Sequence, residues 1–255
     1  MKAYNKDTLA TIANVSPAEL ERIVREGDKY KGDASNKLIC LRRNCPGDYY
    51  ATVLSRFVAE KLFNSQAFAN VNEKRRLLHL FTAVPQMGAA RGWLFEAYAH
   101  NRFSSSNDTA AGITVYPLAP VPDASEKYRA DLDSPIIGLP FPLVHREVRV
   151  YNKPSDFLDN PATPTYHMPS AKNNARFDSF LITETEAYIF QMRVSCAHAA
   201  DTGSQKGLSL LEKMLPPDVP WHYVLVVPDK QTVTLTSVSK KWVDAVASFL
   251  LLVLE

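Results

Sequence analysis

The clearest hydrophobic pattern in the chain is a pair of short segments separated by a polar turn. Residues 176–182 (RFDSFLI) and 187–195 (AYIFQMRVS) are rich in aromatic and aliphatic residues, and the four residues 183–186 (TETE) lie between them. Successive side chains of a strand point to opposite faces of a sheet. Segments of this length and composition, flanking a short polar turn, predict two neighbouring strands joined as a hairpin.

Alternation within the two segments gives the predicted hairpin one polar patch. In the second segment the even-numbered positions are apolar, whereas Gln191, Arg193 and Ser195 share the opposite face. In the first segment Asp178 is the only charged residue among apolar neighbours after Arg176. Pairing of the segments as a hairpin is therefore expected to bring Asp178 close to Gln191 and Arg193.

Elsewhere, patterns of apolar spacing and turn residues predict further helices and strands. One predicted helix begins at Ser16-Pro17, where serine caps the helix and proline takes its first position. Further predicted helices cover 50–64, 73–84, 88–103, 204–214 and the chain end from 240. Predicted strands cover 37–42, 113–118, 143–150, 222–227 and 231–237, and residues 154–173 are predicted to be a loop. The order predicts an α/β fold over 88–255, after a mainly helical N-terminal extension over 1–87.

Composition and charge narrow the class of protein without choosing a partner. Apolar residues make up 46% and charged residues 22% of the 255 residues, as in an ordinary globular protein. The net charge of +2 leaves nucleic-acid binding open, because a basic face can be balanced elsewhere. Three cysteines favour a reducing compartment over a disulfide framework.

The longest apolar run, Phe249–Leu254, is too short for a membrane span and is expected to be a buried terminal helix or an interface. We therefore expect a protein that works inside a cell without a membrane partner.

The polar patch has two interpretations. A carboxylate and an amide oxygen could hold Mg²⁺, whose ligands are hard oxygens and waters, while Arg193 stabilises charge on a phosphate. Such a set suits phosphodiester hydrolysis with a metal-activated water. Alternatively, the patch is merely the solvated side of a half-exposed hairpin, and spacing alone slightly favours this second interpretation.

A third acidic residue lies on the predicted helix before the sheet. Glu96 occurs in GWLFEAYAH at 92–100, where Leu94, Ala97 and Tyr98 are expected to pack while Glu96 points toward the strand ends. Taken alone, a helical glutamate is usually a solvated surface residue.

These segments together resemble the restriction-endonuclease-like, or PD-(D/E)XK, superfamily, and more narrowly the C-terminal nuclease domain of Crinkler/RHS-type effectors. The matching pieces occur in the family's order over roughly 88–214, and they are GWLFEAYAH at 92–100, YHMP at 166–169 before Asn173, FDSF at 177–180, FQMRVS at 190–195, His198 and Gly207-Leu208. Residues 49–63 (YYATVLSRFVAEKLF) also resemble the linker region before that domain.

The resemblance implies a restriction-endonuclease-like core, a mixed central sheet flanked by helices, that cleaves DNA with Mg²⁺ or Mn²⁺. Glu96 and Asp178 would bind the metal, Gln191 would be its second acceptor, and Arg193 would take the place of the nuclease lysine. His198 would lie near phosphate, and the equally weighted alternative is a histidine whose hydrogen bonds are satisfied at a strand end. An effector of this type would act in the nucleus of a host cell.

Two further residues are candidates for contact with the substrate. Tyr166 lies in the predicted loop before the active strand, where packing is the alternative role. Lys172 belongs to a modest basic cluster with Arg176, which would follow a nucleic-acid backbone if it lies on the face of Asp178. The usual alternative for such a cluster is solvated surface.

The pattern departs from the wider superfamily at the second strand. Glu-x-Lys is replaced by Gln191-x-Arg193, although many Crinkler-like relatives also have glutamine there. Arginine can neutralise phosphate but cannot lose its proton to act as a base. A catalytically degenerate fold that binds nucleic acid or a host protein is therefore the alternative.

A P-loop ATPase is excluded because the sequence has no Gly-Lys pair. DNA versus RNA, base preference and oligomeric state are left open.

Overall fold

The protein divides into two compact units, Met1–Tyr98 and Ala99–Glu255. A computed structural model describes residues 2–26, 35–45, 48–53, 55–82, 87–104, 113–124, 127–136, 147–152, 164–170, 177–194, 205–216, 218–230, 233–236 and 238–254. The division falls inside a helix, eleven residues beyond the boundary that the sequence suggested between 87 and 88. Within the described residues, no helix combines the length and the apolar character needed to cross a membrane.

The first unit consists mainly of helices, with one small hairpin. In chain order its elements are α1 (Lys2–Asn14), α2 (Pro17–Glu26), α3 (Ser35–Leu38), β1 (Ile39–Cys45), β2 (Asp48–Val53), α4 (Arg56–Phe63), a 3₁₀ helix (Gln66–Phe68), α5 (Val71–Thr82) and α6 (Gly88–Ser104), of which α6 continues into the second unit. Strands β1 and β2 pair antiparallel. The buried apolar side chains of α2 and α4 contribute to the interior of this unit.

Local capping explains where two of these helices begin. The Ser16 hydroxyl accepts a hydrogen bond from the Glu19 backbone N–H at 3.1 Å, which confirms the predicted start of α2. Ser55 caps α4 in the same way, accepting from the Val58 N–H at 3.3 Å. The helix predicted over 50–64 is therefore confirmed only from Arg56, and its first residues belong to β2, where tyrosine, threonine and valine favour a strand.

The second unit is built around a large mixed sheet. Its described strands are β3 (Ile113–Pro120), β4 (Tyr128–Ala130), β5 (Glu147–Tyr151), β6 (Thr165–Pro169), β7 (Ser179–Ile182), β8 (Ala187–Met192), β9 (Trp221–Val227), β10 (Thr234–Leu235) and β11 (Ser248–Leu254). They lie in the order β10-β4-β3-β11-β9-β8-β7-β6-β5. The pairs β5/β6, β8/β9 and β9/β11 are parallel, and the remaining pairs are antiparallel.

The predicted hairpin around the polar patch is confirmed. Strands β7 and β8 pair antiparallel, with Ser179 opposite Phe190 and Ile182 opposite Ala187. Thr183 stabilises the turn, because its hydroxyl accepts the backbone N–H of Glu186 at 2.9 Å and donates to the carbonyl of the same residue at 3.0 Å. The register places Asp178, one residue before β7, at the level of Gln191.

Helices cover both faces of this sheet. One face carries a continuous apolar core that includes Phe180, Ile189 and Leu251, and it packs against helices α7 (Gln205–Leu211) and α8 (Lys240–Ala245). On the other face the Phe103 ring of α6 lies 4.8 Å from the ring of Phe190. The expected α/β class, with a mixed sheet flanked by helices, is therefore confirmed.

Two sequence predictions for the second unit are wrong. The terminal helix ends at Ala245, and Phe249–Leu254 belongs to strand β11 in the middle of the sheet. An apolar run without periodicity fits a buried helix or a buried strand equally well, and here both faces of the strand are covered. The predicted loop over 154–173 contains strand β6, so Tyr166 and His167 lie on a strand. The stretches 153–163 and 171–176 lie outside the described residues.

Other predicted elements of the second unit match more closely. Strands β3 and β9 confirm the strands predicted over 113–118 and 222–227, and α7 lies within the helix predicted over 204–214. Of the strand predicted over 143–150, the structure describes the part that belongs to β5, which begins at Glu147. Within the strand predicted over 231–237, it describes β10.

Candidate functional site

Asp178 is fixed at the end of the hairpin by the backbone of strand β8. Its Oδ2 atom accepts a hydrogen bond from the Met192 N–H at 2.6 Å, while its own N–H donates to the Phe190 carbonyl at 2.8 Å. The residue is partly buried. A carboxylate held by a backbone N–H keeps a defined orientation, because the donor belongs to a strand inside the sheet.

Gln191 is buried in β8, where it is 3% exposed and lies in register with Leu225 of β9. The Tyr223 hydroxyl donates a hydrogen bond to Gln191 Oε1. Burial raises the pKa of Tyr223 strongly, so its hydroxyl keeps its proton and acts as the donor. The amide oxygen of Gln191 is therefore already an acceptor within the fold.

Arg193 follows β8 directly and continues its ladder, because its backbone N–H donates to the Val226 carbonyl at 2.8 Å. Its Nε atom is buried and has no hydrogen-bond partner within the described part of the chain. After burial, the charges of Arg193 and Asp178 have the next largest effects on the pKa of Tyr223, which arginine lowers and aspartate raises. In the predicted trio, Asp178 is thus level with Gln191 across the hairpin, and Arg193 follows two residues later along the same chain segment.

Tyr223 is the residue that sequence reasoning missed. It is fully buried, and its ring contacts the rings of Trp242 at 5.6 Å and Phe249 at 6.0 Å between centroids. In the sequence it stands among the apolar residues of WHYVLVV. A tyrosine inside such a run is a signal, because a buried phenol hydroxyl usually finds a polar partner.

Glu96 forms an ion pair within the first unit. Its Oε1 atom accepts from Arg56 Nη2 at 2.5 Å, and Arg56 Nε also contacts Glu60 Oε1 at 2.8 Å. The three side chains are 20–22% exposed. Burial alone would lower the pKa of Arg56, but its hydrogen bonds and ion pairs with the two glutamates raise it overall. Glu96 is therefore not a simple solvated residue, and its proposed place beside a metal stays a prediction.

Tyr166 has the packing role that was the alternative in the sequence. It is 1% exposed on strand β6, donates to Ser179 Oγ at 2.8 Å and lies 2.8 Å from His100 Nδ1. Its ring also packs against those of Phe103 and Phe190. These contacts show packing, and the expectation that Tyr166 also contacts a substrate stays a prediction. His198 and Lys172 lie outside the described residues.

Comparisons of the chain with protein-family models, curated proteins and solved structures gave no match.

Asp178 and Gln191 carry the oxygen atoms that the sequence predicted to bind Mg²⁺. No group of three or more histidine, cysteine, aspartate or glutamate side chains is placed to hold a metal ion within the described ranges. Magnesium, however, is often bound by one or two carboxylates, with waters and substrate phosphates completing the shell. The partly buried Asp178 carboxylate is compatible with such a shell, whereas the Gln191 amide oxygen is buried and accepts from Tyr223, so a metal at this place stays a prediction.

Proposed function

We propose that the second unit is a restriction-endonuclease-like domain that acts on DNA phosphodiester bonds with Mg²⁺ or Mn²⁺. The observation that carries this proposal is the hairpin register, which holds the Asp178 carboxylate against the carboxyl end of β8 at the level of Gln191, with Arg193 directly after that strand. The mixed sheet with helices on both faces is the architecture that the superfamily resemblance implies. In a Crinkler/RHS effector or mobile-element context, such an activity would meet DNA in the nucleus of a host cell.

Each residue of the trio has a separate task in this proposal. Asp178 and Gln191 would hold the metal, which when bound activates water and neutralises charge on the phosphate. Arg193 would contact the scissile phosphate and stabilise the charge that accumulates in the transition state. Because arginine keeps its proton, it does not act as the base. The proton of the attacking water would instead pass to solvent or to the substrate.

The contact between Tyr223 and Gln191 favours a second candidate function. An amide carries no net charge, and its oxygen already accepts the hydroxyl of Tyr223. Loss of a unit charge next to a metal costs several kcal/mol, about 4 kcal/mol at 4 Å for an effective dielectric constant of 20. A fold weakened in this way would bind nucleic acid, or a host protein, through Arg193 without cleaving it.

Plasmid nicking tests the first candidate. Purified full-length protein is incubated with supercoiled plasmid and Mg²⁺ or Mn²⁺, beside Asp178→Ala and the matched control Asp218→Ala, whose carboxylate is exposed and remote from β8 in sequence. We expect wild type and the control to nick at equal rates and Asp178→Ala to be at least about 100-fold slower, because its metal ligand is lost. Equal nicking by wild type and Asp178→Ala discards the assignment.

Titration calorimetry separates the two candidates if no nicking occurs. The first candidate requires Mg²⁺ or Mn²⁺ to bind in the presence of DNA, and this binding should disappear in Asp178→Ala. The second candidate predicts DNA binding that weakens with salt, because counterions are released from the phosphates, and that does not need the metal. Absence of DNA binding under both conditions leaves the host-protein role of the second candidate.

A further inference from the structure

A second cluster of reactive side chains lies at the amino ends of strands β8, β9 and β11. The parallel registers pair Tyr188 with His222 and His222 with Ser248. Paired residues of neighbouring parallel strands face the same side of a sheet. Glu186 immediately precedes β8. We infer that Ser248 is the nucleophile of an esterase-type site, in which His222 is the general base and Glu186 orients and stabilises the imidazole.

Distances within the cluster support these roles. Ser248 Oγ lies 2.7 Å from His222 Nδ1, within hydrogen-bonding distance for transfer of the hydroxyl proton. On the other side of the ring, His222 Nε2 lies 3.6 Å from Glu186 Oε1. A nucleophile, a base and a third group that orients the base form the arrangement that activates serine hydroxyls.

The carboxylate and the imidazole are both held in place by Tyr188. Its hydroxyl donates to Glu186 Oε2, and its ring stacks on that of His222 with 4.9 Å between the centroids. Burial raises the pKa of Tyr188, as does the Glu186 carboxylate, so the phenol remains a neutral donor. Glu186 and Tyr188 are the titratable side chains of the described cluster that face His222.

His222 is in the protonation state that a general base needs. Burial lowers its pKa below the ordinary value of 6.5, although the Glu186 carboxylate opposes this shift. The imidazole is therefore neutral at pH 7 and can accept a proton. Once protonated, it would be stabilised by the carboxylate at 3.6 Å.

The cluster is partly exposed. The side chains of His222 and Glu186 are 15% and 37% exposed, and Ser248 is partly exposed. The substrates that this inference assigns to the site are small carboxylic esters, whose carbonyl carbon Ser248 Oγ would attack.

The reaction proceeds by acyl transfer to the serine. Ser248 Oγ attacks the ester carbonyl carbon while its proton passes to His222 Nδ1. The carbon–oxygen bond to the alcohol then breaks, and the alcohol leaves with that proton. Water then attacks the acyl-serine and gives a proton to His222. The bond between Ser248 Oγ and the carbonyl carbon breaks, and Ser248 Oγ takes that proton from His222. The products are one alcohol and one carboxylic acid, with no other reactant.

Covalent labelling tests this inference on the full-length protein. A phosphonofluoridate probe, mapped by mass spectrometry, is expected to modify Ser248 in wild type and to leave Ser248→Ala unmodified. We expect His222→Gln to be labelled at least about 100-fold more slowly, because a general base contributes about 10²–10⁴-fold. The matched control is Ser239→Ala, which changes a partly exposed serine that makes no capping hydrogen bond to α8. It should be labelled at the wild-type rate.

Two further measurements use wild type alone, so they do not depend on the stability of a variant. Wild type should release one equivalent of p-nitrophenol rapidly from p-nitrophenyl acetate, as acyl-enzyme formation requires. Its labelling rate should fall only below pH 6.5, as His222 becomes protonated. No modification of Ser248 in the folded wild type, or equal labelling of a folded His222→Gln, overturns the inference. Asp178→Ala should retain full labelling, which separates this site from the proposed nuclease.

Discussion

Tyr223 holds the buried amide of Gln191 in place from the neighbouring strand β9. Its hydroxyl donates to the buried amide of Gln191, and its ring packs on Trp242. Tyr223→Phe keeps the ring but leaves the amide oxygen without that donor, which typically costs about 1–3 kcal/mol. Urea unfolding monitored by tryptophan fluorescence should show this loss.

A control for Tyr223→Phe is available on the same sheet. Tyr128→Phe removes a hydroxyl from a partly exposed ring that packs against Phe249. We expect its free energy of unfolding to stay within about 0.5 kcal/mol of wild type, as for most surface changes. Equal losses in the two variants would show that the hydroxyl of Tyr223 has no special role.

His167 predicts a specific dependence of stability on pH. It is 3% exposed on β6, and burial, helped by the charge of Arg149 and opposed by that of Glu147, lowers its pKa to about 4. In the unfolded chain the His167 imidazole binds a proton near pH 6.5, whereas in the folded protein it stays neutral until the pH is near 4. The contribution of the neutral imidazole to the free energy of unfolding is therefore complete above pH 6.5 and is lost as the pH falls through 4. The loss is about 3 kcal/mol.

The variant that isolates this effect is His167→Phe, because the His167 ring stacks on Phe180 with 4.8 Å between centroids and phenylalanine keeps that contact. Denaturant unfolding at pH 7, 5 and 4 should show a smaller loss of stability on acidification in the variant than in wild type. Identical pH profiles would mean that His167 is not the titrating group.

At the residue scale, the sequence was sufficient for side chains on one hairpin. Asp178, Gln191 and Arg193 were placed together by the period of a strand and the short turn, and the structure brings them together. Tyr223 could not be found in this way, because β9 is a parallel neighbour reached through a long connection. Its register with β8 depends on packing between distant segments, which periodicity does not determine.

At the element scale, the strand β11 was the largest error, and it explains how the sheet is stabilised. The strand lies between β9 and β3, and Leu251 in its centre is fully buried. Leu251→Ala should lower the free energy of unfolding by about 2–5 kcal/mol, because a cavity remains in the core. The measurement is chemical denaturation of the full chain.

Val243→Ala is the comparison for this strand, since Val243 is 39% exposed on the neighbouring helix α8. That change should cost less than about 1 kcal/mol. A loss for Leu251→Ala as small as that of Val243→Ala would contradict the central position of β11. The sequence could not choose between helix and strand here, because six consecutive apolar residues have no period.

At the scale of the whole molecule, the question is whether Glu96 in the first unit binds metal or only forms an ion pair. The resemblance assigns metal binding to Glu96 and Asp178, which belong to different units. The sequence supplied both residues as candidates, but the ion pair of Glu96 with Arg56 depends on how α4 packs against α6, which no pattern reveals. A test of Glu96 has to separate a metal ligand from a structural ion pair.

Glu96→Gln and Glu60→Gln form the pair of variants that makes this separation. Both glutamates contact Arg56, at 2.5 and 2.8 Å, but only Glu96 is assigned to the metal. We expect Glu96→Gln to slow plasmid nicking at least about tenfold while Glu60→Gln leaves the rate unchanged. Equal rates for the two glutamine variants would restrict Glu96 to its ion pair with Arg56.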